Sequence, residues 1–201
     1  DDPEMKVRFQ KLAEELGTSD TVLAFHNLEK GREIASQSDD IGGLGQYYMV
    51  MGKIKSRSGR YEEAMLHFDR GLTYFNESGD LASFYETIKE MGNVHLFRSE
   101  FTQAMNHYQS ALDHYQRSNN PIGISRCLNN MGIIHKNRGD YQDALSVYQE
   151  SVSYLDSIRD AYDISQGYIN IGNLFVYLGR YERALEFFTR ALDIAEQNDY
   201  Q

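Results

Sequence analysis

Apolar side chains recur at three- and four-residue steps along most of the chain, which is the spacing of one face of an α-helix. Between residues 125 and 155 this pattern occurs twice. The first run contains Leu128, Met131, Ile134 and His135, and the second contains Tyr141, Ala144, Leu145, Tyr148 and Val152. The prolines are Pro3 and Pro121, so long stretches lack the residue that most disrupts a helix. The pattern predicts an all-α protein of paired amphipathic helices.

This pair of patterns returns every 40 residues. Five aligned columns carry the repetition: a glycine, a turn residue, an aromatic residue, an alanine and a second aromatic residue. Their members are Gly52, Gly92, Gly132 and Gly172; Gly59, Ser99, Gly139 and Gly179; Tyr61, Phe101, Tyr141 and Tyr181; Ala64, Ala104, Ala144 and Ala184; and Phe68, Tyr108, Tyr148 and Phe188. A match at a fixed period predicts a stacked array in which each unit packs on its neighbours.

The repeated glycines have two different expected roles. The turn glycines suit a positive φ between two helices, and Ser99 in their column predicts a tighter or shifted turn. The glycines inside the first helix cost about 1 kcal/mol each relative to alanine, so close packing against the partner helix is expected there. The alanine column should face these glycines, while the second aromatic column fills the space between units.

Composition excludes several classes of function. The chain has 201 residues, 41% of them apolar, which is enough for a substantial core. Its net charge of −10 argues against a nucleic-acid surface, and no run reaches the roughly 20 apolar residues needed for membrane insertion. Cys127 is expected in the core. The six histidines lack metal-ligand spacing and no nucleophile signature occurs, so we predict no enzyme activity, no metal and no cofactor.

The combination of packing glycine, turn glycine with aromatic, and alanine with aromatic resembles the tetratricopeptide repeat family. The period is 40 rather than the commoner 34, and the frequent first-helix tryptophan of the family is replaced by Tyr48, Ile88, Leu128 and Tyr168. The longer period resembles repeats of kinesin light chains, spindle-orientation adaptors and bacterial peptide-sensing regulators. This resemblance implies a right-handed superhelical α-solenoid of about five antiparallel helix pairs.

The repeat period also predicts the domain organisation. Residues 1–201 are expected to form a single solenoid that is a fragment of a longer chain. The predicted repeats are 5–44, 45–84, 85–124, 125–164 and 165–201. The first is degenerate because Leu12 replaces the packing glycine.

The resemblance implies that the first helices line a concave groove. Asparagine is a poor residue inside a helix, yet six fall in the groove columns: Asn93, Asn129, Asn130, Asn137, Asn170 and Asn173. Their amides could clamp the backbone of an extended peptide, an interpretation we favour most for Asn130 and Asn170. The alternative is that asparagines beside the packing glycine bridge neighbouring helices, as we expect of Asn173. Cations that could attract a carboxylate are Lys53, Arg57, Lys89, Arg126 and Lys136.

The last second helix differs from the others in one pair of columns, which becomes apolar at Phe187 and Ile194. We interpret this pair as a surface covered by a further helix or by another subunit, including a homo-oligomer. The alternative is that these side chains are simply solvated. The leading functional hypothesis is a cytoplasmic, non-enzymatic scaffold that binds a protein or extended peptide. The alternatives are a peptide-sensing regulatory domain in signalling and an oligomerisation module.

Overall fold

The computed structural model describes residues 21–155 and 161–197, with side chains from residue 27 onward. These ranges fold into helices joined by short turns. The helices are α1 (Thr21–Gln37), α2 (Ile41–Arg57), α3 (Tyr61–Ser78), α4 (Leu81–Phe97), α5 (Phe101–Arg117), α6 (Pro121–Arg138), α7 (Tyr141–Leu155), α8 (Ala161–Tyr177) and α9 (Tyr181–Gln197). The predicted all-α class of antiparallel helix pairs is confirmed over the described ranges. No helix in them is both long and apolar enough to cross a membrane.

The chain divides into two compact units, residues 1–98 and 99–201. In unit 1, α2 packs on α1, α3 and α4, and α3 also packs on α4. In unit 2, α6 packs on α5, α7 and α8, while α8 also packs on α7 and α9. Each unit therefore stacks its first helices side by side, with second helices filling the other layer.

The helix starts differ from the predicted repeat boundaries. The first helices begin at Ile41, Leu81, Pro121 and Ala161, so the boundaries predicted at 45, 85, 125 and 165 fall four residues inside them. Three of these starts are fixed by an N-cap side chain that accepts a backbone N–H bond. These caps are Asp40 to Gly43, Asp80 to Ser83 and Asn120 to Gly123. Residues 5–20 of the predicted first repeat lie outside the described residues.

The turn at Ser99 keeps the geometry of its glycine counterparts. Gly59, Gly139 and Gly179 have φ values of 72°, 88° and 69°, and Ser99 has a φ of 60°. The prediction of a tighter or shifted turn there is wrong, because serine adopts the same left-handed conformation. That conformation costs a residue with a Cβ about 1 kcal/mol.

The glycines inside the first helices contact aromatic rings. A Cβ on Gly172 would lie 2.5 Å from Cε1 of Phe188. Gly52 meets Phe68 in the same way, and Gly132 meets Tyr148. The prediction that alanines face the glycines while aromatics fill the space between units is therefore wrong. Each ring packs inside its own helix pair, because only a missing Cβ leaves room for it there.

Candidate functional site

Two neighbouring first helices of unit 2 place asparagines on one face. We call this the amide face; its members are Asn129, Asn130 and Asn137 of α6 and Asn170 and Asn173 of α8. The Nδ2 atom of Asn170 lies 3.5 Å from Oδ1 of Asn129, at the long end of hydrogen-bonding range. The exposed members are Asn137 and Asn173. The structure thus brings together asparagines that lie 41 residues apart in sequence.

The division of roles among these asparagines differs from the expected one. Asn173 was expected to bridge neighbouring helices, but it is exposed and makes no hydrogen bond within the described residues. The bridging contact is instead the one between Asn170 and Asn129, and Asn129 is buried.

An ion pair borders the amide face. Both Nε and an Nη atom of Arg126 lie 2.9 Å from Oδ2 of Asp163. The Asp163 side chain is only 8% exposed, whereas Arg126 keeps 47% of its side-chain surface. The guanidinium of Arg126 is thus paired with a buried carboxylate of α8 and neutralises its charge.

Unit 1 carries charges where unit 2 carries amides. We call Lys53 of α2 and Glu86, Lys89 and Glu90 of α4 the charged cluster. Nζ of Lys89 lies 2.7 Å from Glu86, and Nζ of Lys53 lies 3.4 Å from Glu90. The Lys89 side chain is only 6% exposed, and Asn93 donates to Glu90 at 2.9 Å. The two positive and two negative charges of this cluster sum to zero, and this pairing allows the Lys89 ammonium to be buried.

These contacts change the expectation for the predicted cations. Lys53, Lys89 and Arg126 all hold carboxylates of the chain itself. Arg57 is exposed at the end of α2 and Lys136 is half-buried in α6, and neither forms an ion pair within the described residues. Of the five predicted cations, these two keep their charge available to a ligand.

The carboxylates of these pairs, Glu86, Glu90 and Asp163, were not predicted as site residues. A sequence signal for them exists, because lateral contacts between first helices recur at an offset of 37 residues. Gln46 donates to Ser83, and Arg126 donates to Asp163, at that separation. Comparison at the repeat period of 40 aligns equivalent positions, whereas Gln46 and Arg126 each contact a residue about one turn earlier on the next first helix.

The predicted docking pair at the end of the chain is not exposed as expected. Phe187 is only 8% exposed, and its ring stacks on Phe175 at a centroid distance of 5.5 Å. Ile194 also packs against this core cluster. Phe187 occupies the position that His67 holds in α3, where the column faces the first helix of the same pair. The sequence correctly showed that this column becomes apolar in the last helix. The column faces the core of its own helix pair, however, and not a separate partner.

His67 gives a prediction for the dependence of stability on pH. Its ring lies 6.0 Å from that of Tyr48, and burial, with Lys55 and Arg70 nearby, lowers its pKa below the ordinary value. As pH falls through about 6.5, the unfolded chain takes up a proton before the folded one does, so stability should decrease. Phenylalanine cannot take up that proton.

We expect the His67→Phe variant to lose less stability on acidification than the wild type. Phe187 shows that this column accepts phenylalanine. Urea unfolding of both proteins at a series of pH values between about 7.5 and about 5 would give the comparison. A difference in unfolding free energy that stays constant across this range would contradict the prediction.

His135 lies beside two carboxylates at the turn between α6 and α7. One ligand atom from each of His135, Asp140 and Asp143 falls within 4.8 Å of the others, a separation that a metal ion could bridge. In the pair formed by α2 and α3, Lys55 and Glu63 occupy the positions of His135 and Asp143 and form an ion pair of 3.4 Å. Asp140 stands where that pair has Arg60, and both carboxylates are exposed.

Sequence comparison decides the family of this helix-pair array. Profiles described as "Tetratricopeptide repeat" match residues 82–157 and 128–197, and a further one matches residues 45–77. Together they cover well over half of the chain. The chain belongs to the tetratricopeptide repeat family. No curated protein matches this tetratricopeptide repeat chain in sequence.

Solved structures share the fold of this tetratricopeptide repeat protein. BtubC (BKLC) from P. vanneervenii has a TM-score of 0.68 at 17% identity, over 100% of this chain and 94% of that one. Aspartyl phosphate phosphatase F from Bacillus subtilis has a TM-score of 0.81 at 15% identity, over 98% of this chain. The chain spans 51% of the length of that phosphatase.

A third similar structure is a Rap protein complexed with Competence and Sporulation Factor. Its TM-score is 0.68 at 16% identity, over 98% of this chain and 66% of that one. At such identities the likeness concerns the fold alone.

Proposed function

We propose that the chain is a non-enzymatic scaffold that binds an extended peptide segment of a partner protein on the amide face of unit 2. The observation that carries this proposal is the exposure of helical asparagines on neighbouring first helices. Asparagine inside a helix is less favourable than alanine by about 0.5 kcal/mol. Asn137 and Asn173 make no hydrogen bond within the described residues that would offset this cost.

The chemistry of the amide face suits a peptide backbone. Each asparagine amide both donates and accepts, so it matches the N–H and C=O groups of an extended chain without regard to side-chain type. Arg126 is neutralised by Asp163, so the border of this face carries no net charge from that pair. Lys136 is the predicted cation of unit 2 that we expect to attract a carboxylate of the ligand. A cytoplasmic location belongs to this proposal.

A random-peptide library selected against the immobilised protein would supply a ligand for the test. We expect the Asn137→Ala/Asn173→Ala variant to bind the selected peptide at least about tenfold more weakly, because each lost amide contact contributes about 1 kcal/mol. Titration calorimetry of wild type and variant measures this difference.

Asn106→Ala is the matched control, because Asn106 is an exposed helical asparagine on α5, away from the amide face. This variant should bind like the wild type. The proposal would be refuted by equal affinity of the double variant for the peptide, or by a selection that enriches no peptide.

A peptide-sensing regulatory role is the second candidate. It is favoured by the fold shared with the Rap protein that was solved with Competence and Sporulation Factor. In such a sensor, ligand binding alters the helix packing and signals to an attached domain. Hydrogen exchange with and without the selected peptide separates the two roles. Protection confined to α6 and α8 supports a passive scaffold, whereas altered exchange in α2 and α4 as well supports the sensor.

A further inference from the structure

Three side chains of the types that bind transition metals converge where α6 turns into α7. Nδ1 of His135 lies 3.8 Å from Oδ2 of Asp140, and the ligand atoms of these two residues and of Asp143 all lie within 4.8 Å of one another. Among the described residues, no other group of three histidine, cysteine or acidic side chains meets this distance. We call the three residues the turn triad.

The backbone of this turn holds the turn triad in place. Gly139 ends α6 with a φ of 88°, and the N–H of Asp140 donates to the C=O of His135 at 2.9 Å. This hydrogen bond ties the residue that precedes α7 to the last turn of α6. The ligand groups are therefore held near one another before an ion arrives, which lowers the entropy that binding must cost.

The imidazole of His135 has a buried nitrogen that lacks a hydrogen bond. Its Nδ1 atom finds no hydrogen-bond partner within the described residues, a state that buried polar atoms rarely adopt. The Asp140 oxygen at 3.8 Å is too distant for a hydrogen bond, but a metal ion about 2 Å from each atom spans that gap. Nδ1 of His67 is also buried without a partner, but His67 belongs to no such group of three.

The charges of the turn triad are the reverse of those in the pair formed by α2 and α3. There, Lys55 and Arg60 both form ion pairs with the single carboxylate of Glu63. In α6 and α7 the same positions hold one imidazole and two carboxylates. Neither Asp140 nor Asp143 pairs with a lysine or arginine within the described residues. The N-terminus of α7 offers only about half a positive charge, so the two carboxylates call for a further cation.

The ligand types select the class of this cation. Mg²⁺ and Ca²⁺ prefer sites made entirely of oxygen, whereas an imidazole nitrogen suits Zn²⁺ and related transition-metal ions. Zinc accepts histidine nitrogen together with aspartate oxygen at about 2.0–2.2 Å. Both carboxylates are exposed, so their side chains have room to rotate into those distances.

We infer that His135, Asp140 and Asp143 bind a divalent transition-metal ion with the ligand preference of Zn²⁺. Three protein ligands leave one coordination position for water. The ion joins the last turn of α6 to the first turn of α7 and stabilises the folded form that holds its ligands together. The spacing of histidines along the sequence does not reveal this site, because two of its three ligands are aspartates. The inference does not depend on the proposed peptide site.

The test is calorimetric titration of the full chain, without a polyhistidine tag, with zinc chloride. The wild type should bind one zinc ion at the turn triad. Asp143→Asn and His135→Gln should each bind it at least about tenfold more weakly, since even loss of a group that only supports a ligand costs that much. Asp143 is exposed, so its variant should fold normally. Zinc should raise the melting temperature of the wild type more than that of this variant.

His95→Gln is the matched control. His95 occupies the position of His135 in the preceding pair, where Gln103 replaces the third ligand, and this variant should bind zinc like the wild type. The inference would be overturned by a wild type that binds no zinc, by unchanged affinity in Asp143→Asn or His135→Gln, or by an equal loss in His95→Gln. Magnesium binding as tight as that of zinc would also overturn it, because it would show only general attraction of cations to the carboxylates.

Discussion

Replacement of Gly52 by alanine is expected to lower the free energy of unfolding by about 2 kcal/mol, although alanine is the better helix former. A Cβ at this position would overlap the ring of Phe68, which is itself completely buried. The ring has no space to retreat, so α2 and α3 must separate. Urea unfolding of wild type and variant measures the loss.

Gly42→Ala provides the control within the same helix. A Cβ on Gly42 would lie 3.6 Å from its nearest neighbour, Oδ1 of Asp40, which is an ordinary contact. This variant should be as stable as the wild type or more stable by up to about 1 kcal/mol. Adding Phe68→Leu to Gly52→Ala should recover part of the loss, because the smaller side chain vacates the space. Equal effects of the two alanine substitutions would contradict the steric account.

The second large effect is expected from the charged cluster. Glu86→Gln should lower the free energy of unfolding by about 2 kcal/mol, because it removes the charge nearest to the buried Lys89 ammonium. Glutamine occupies the equivalent position in α2 and α8, as Gln46 and Gln166, so the shape of the site is preserved. The loss should therefore report electrostatics rather than packing.

Lys89→Met tests this account in a double-mutant cycle. Met49 stands at the equivalent position of α2 and is buried, so methionine fits the column. In the Lys89→Met background, Glu86→Gln should cost less than about 0.5 kcal/mol, because no buried ammonium remains to be compensated. An undiminished cost in that background would mean that Glu86 stabilises the fold through other contacts.

Most of the fold could be predicted from periodicity. The columns of glycine, alanine and aromatic residues located the helix pairs, because a helix has a fixed period and a stacked array repeats the same contacts. The helix starts lie four residues before the predicted repeat boundaries, next to the N-cap residues Asp40, Asp80 and Asn120. Ser99 shows that a turn of this shape does not require glycine, because a positive φ costs serine only about 1 kcal/mol.

The candidate site was predicted only in part. The asparagines of α6 and α8 could be assigned to one face because equivalent columns of successive repeats lie side by side. The contact between Asn170 and Asn129 could not be predicted, because it depends on how far each helix is shifted along its neighbour. Lys53 and Arg126 were predicted as free cations for the same reason: their carboxylate partners lie 37 residues away, at Glu90 and Asp163.

The sequence by itself determined that this protein is an array of helix pairs, and it determined which residues recur in each pair. Helical periodicity and repeat length are local properties of the chain, so one sequence is enough to read them. Only the tertiary structure decided that the aromatic rings lie on the glycines, that three of the predicted cations are neutralised, and that Phe187 faces inward while Leu185 and Leu192 face outward. These outcomes depend on the rotation and shift of each helix against its neighbours, which are set by packing between residues far apart in sequence.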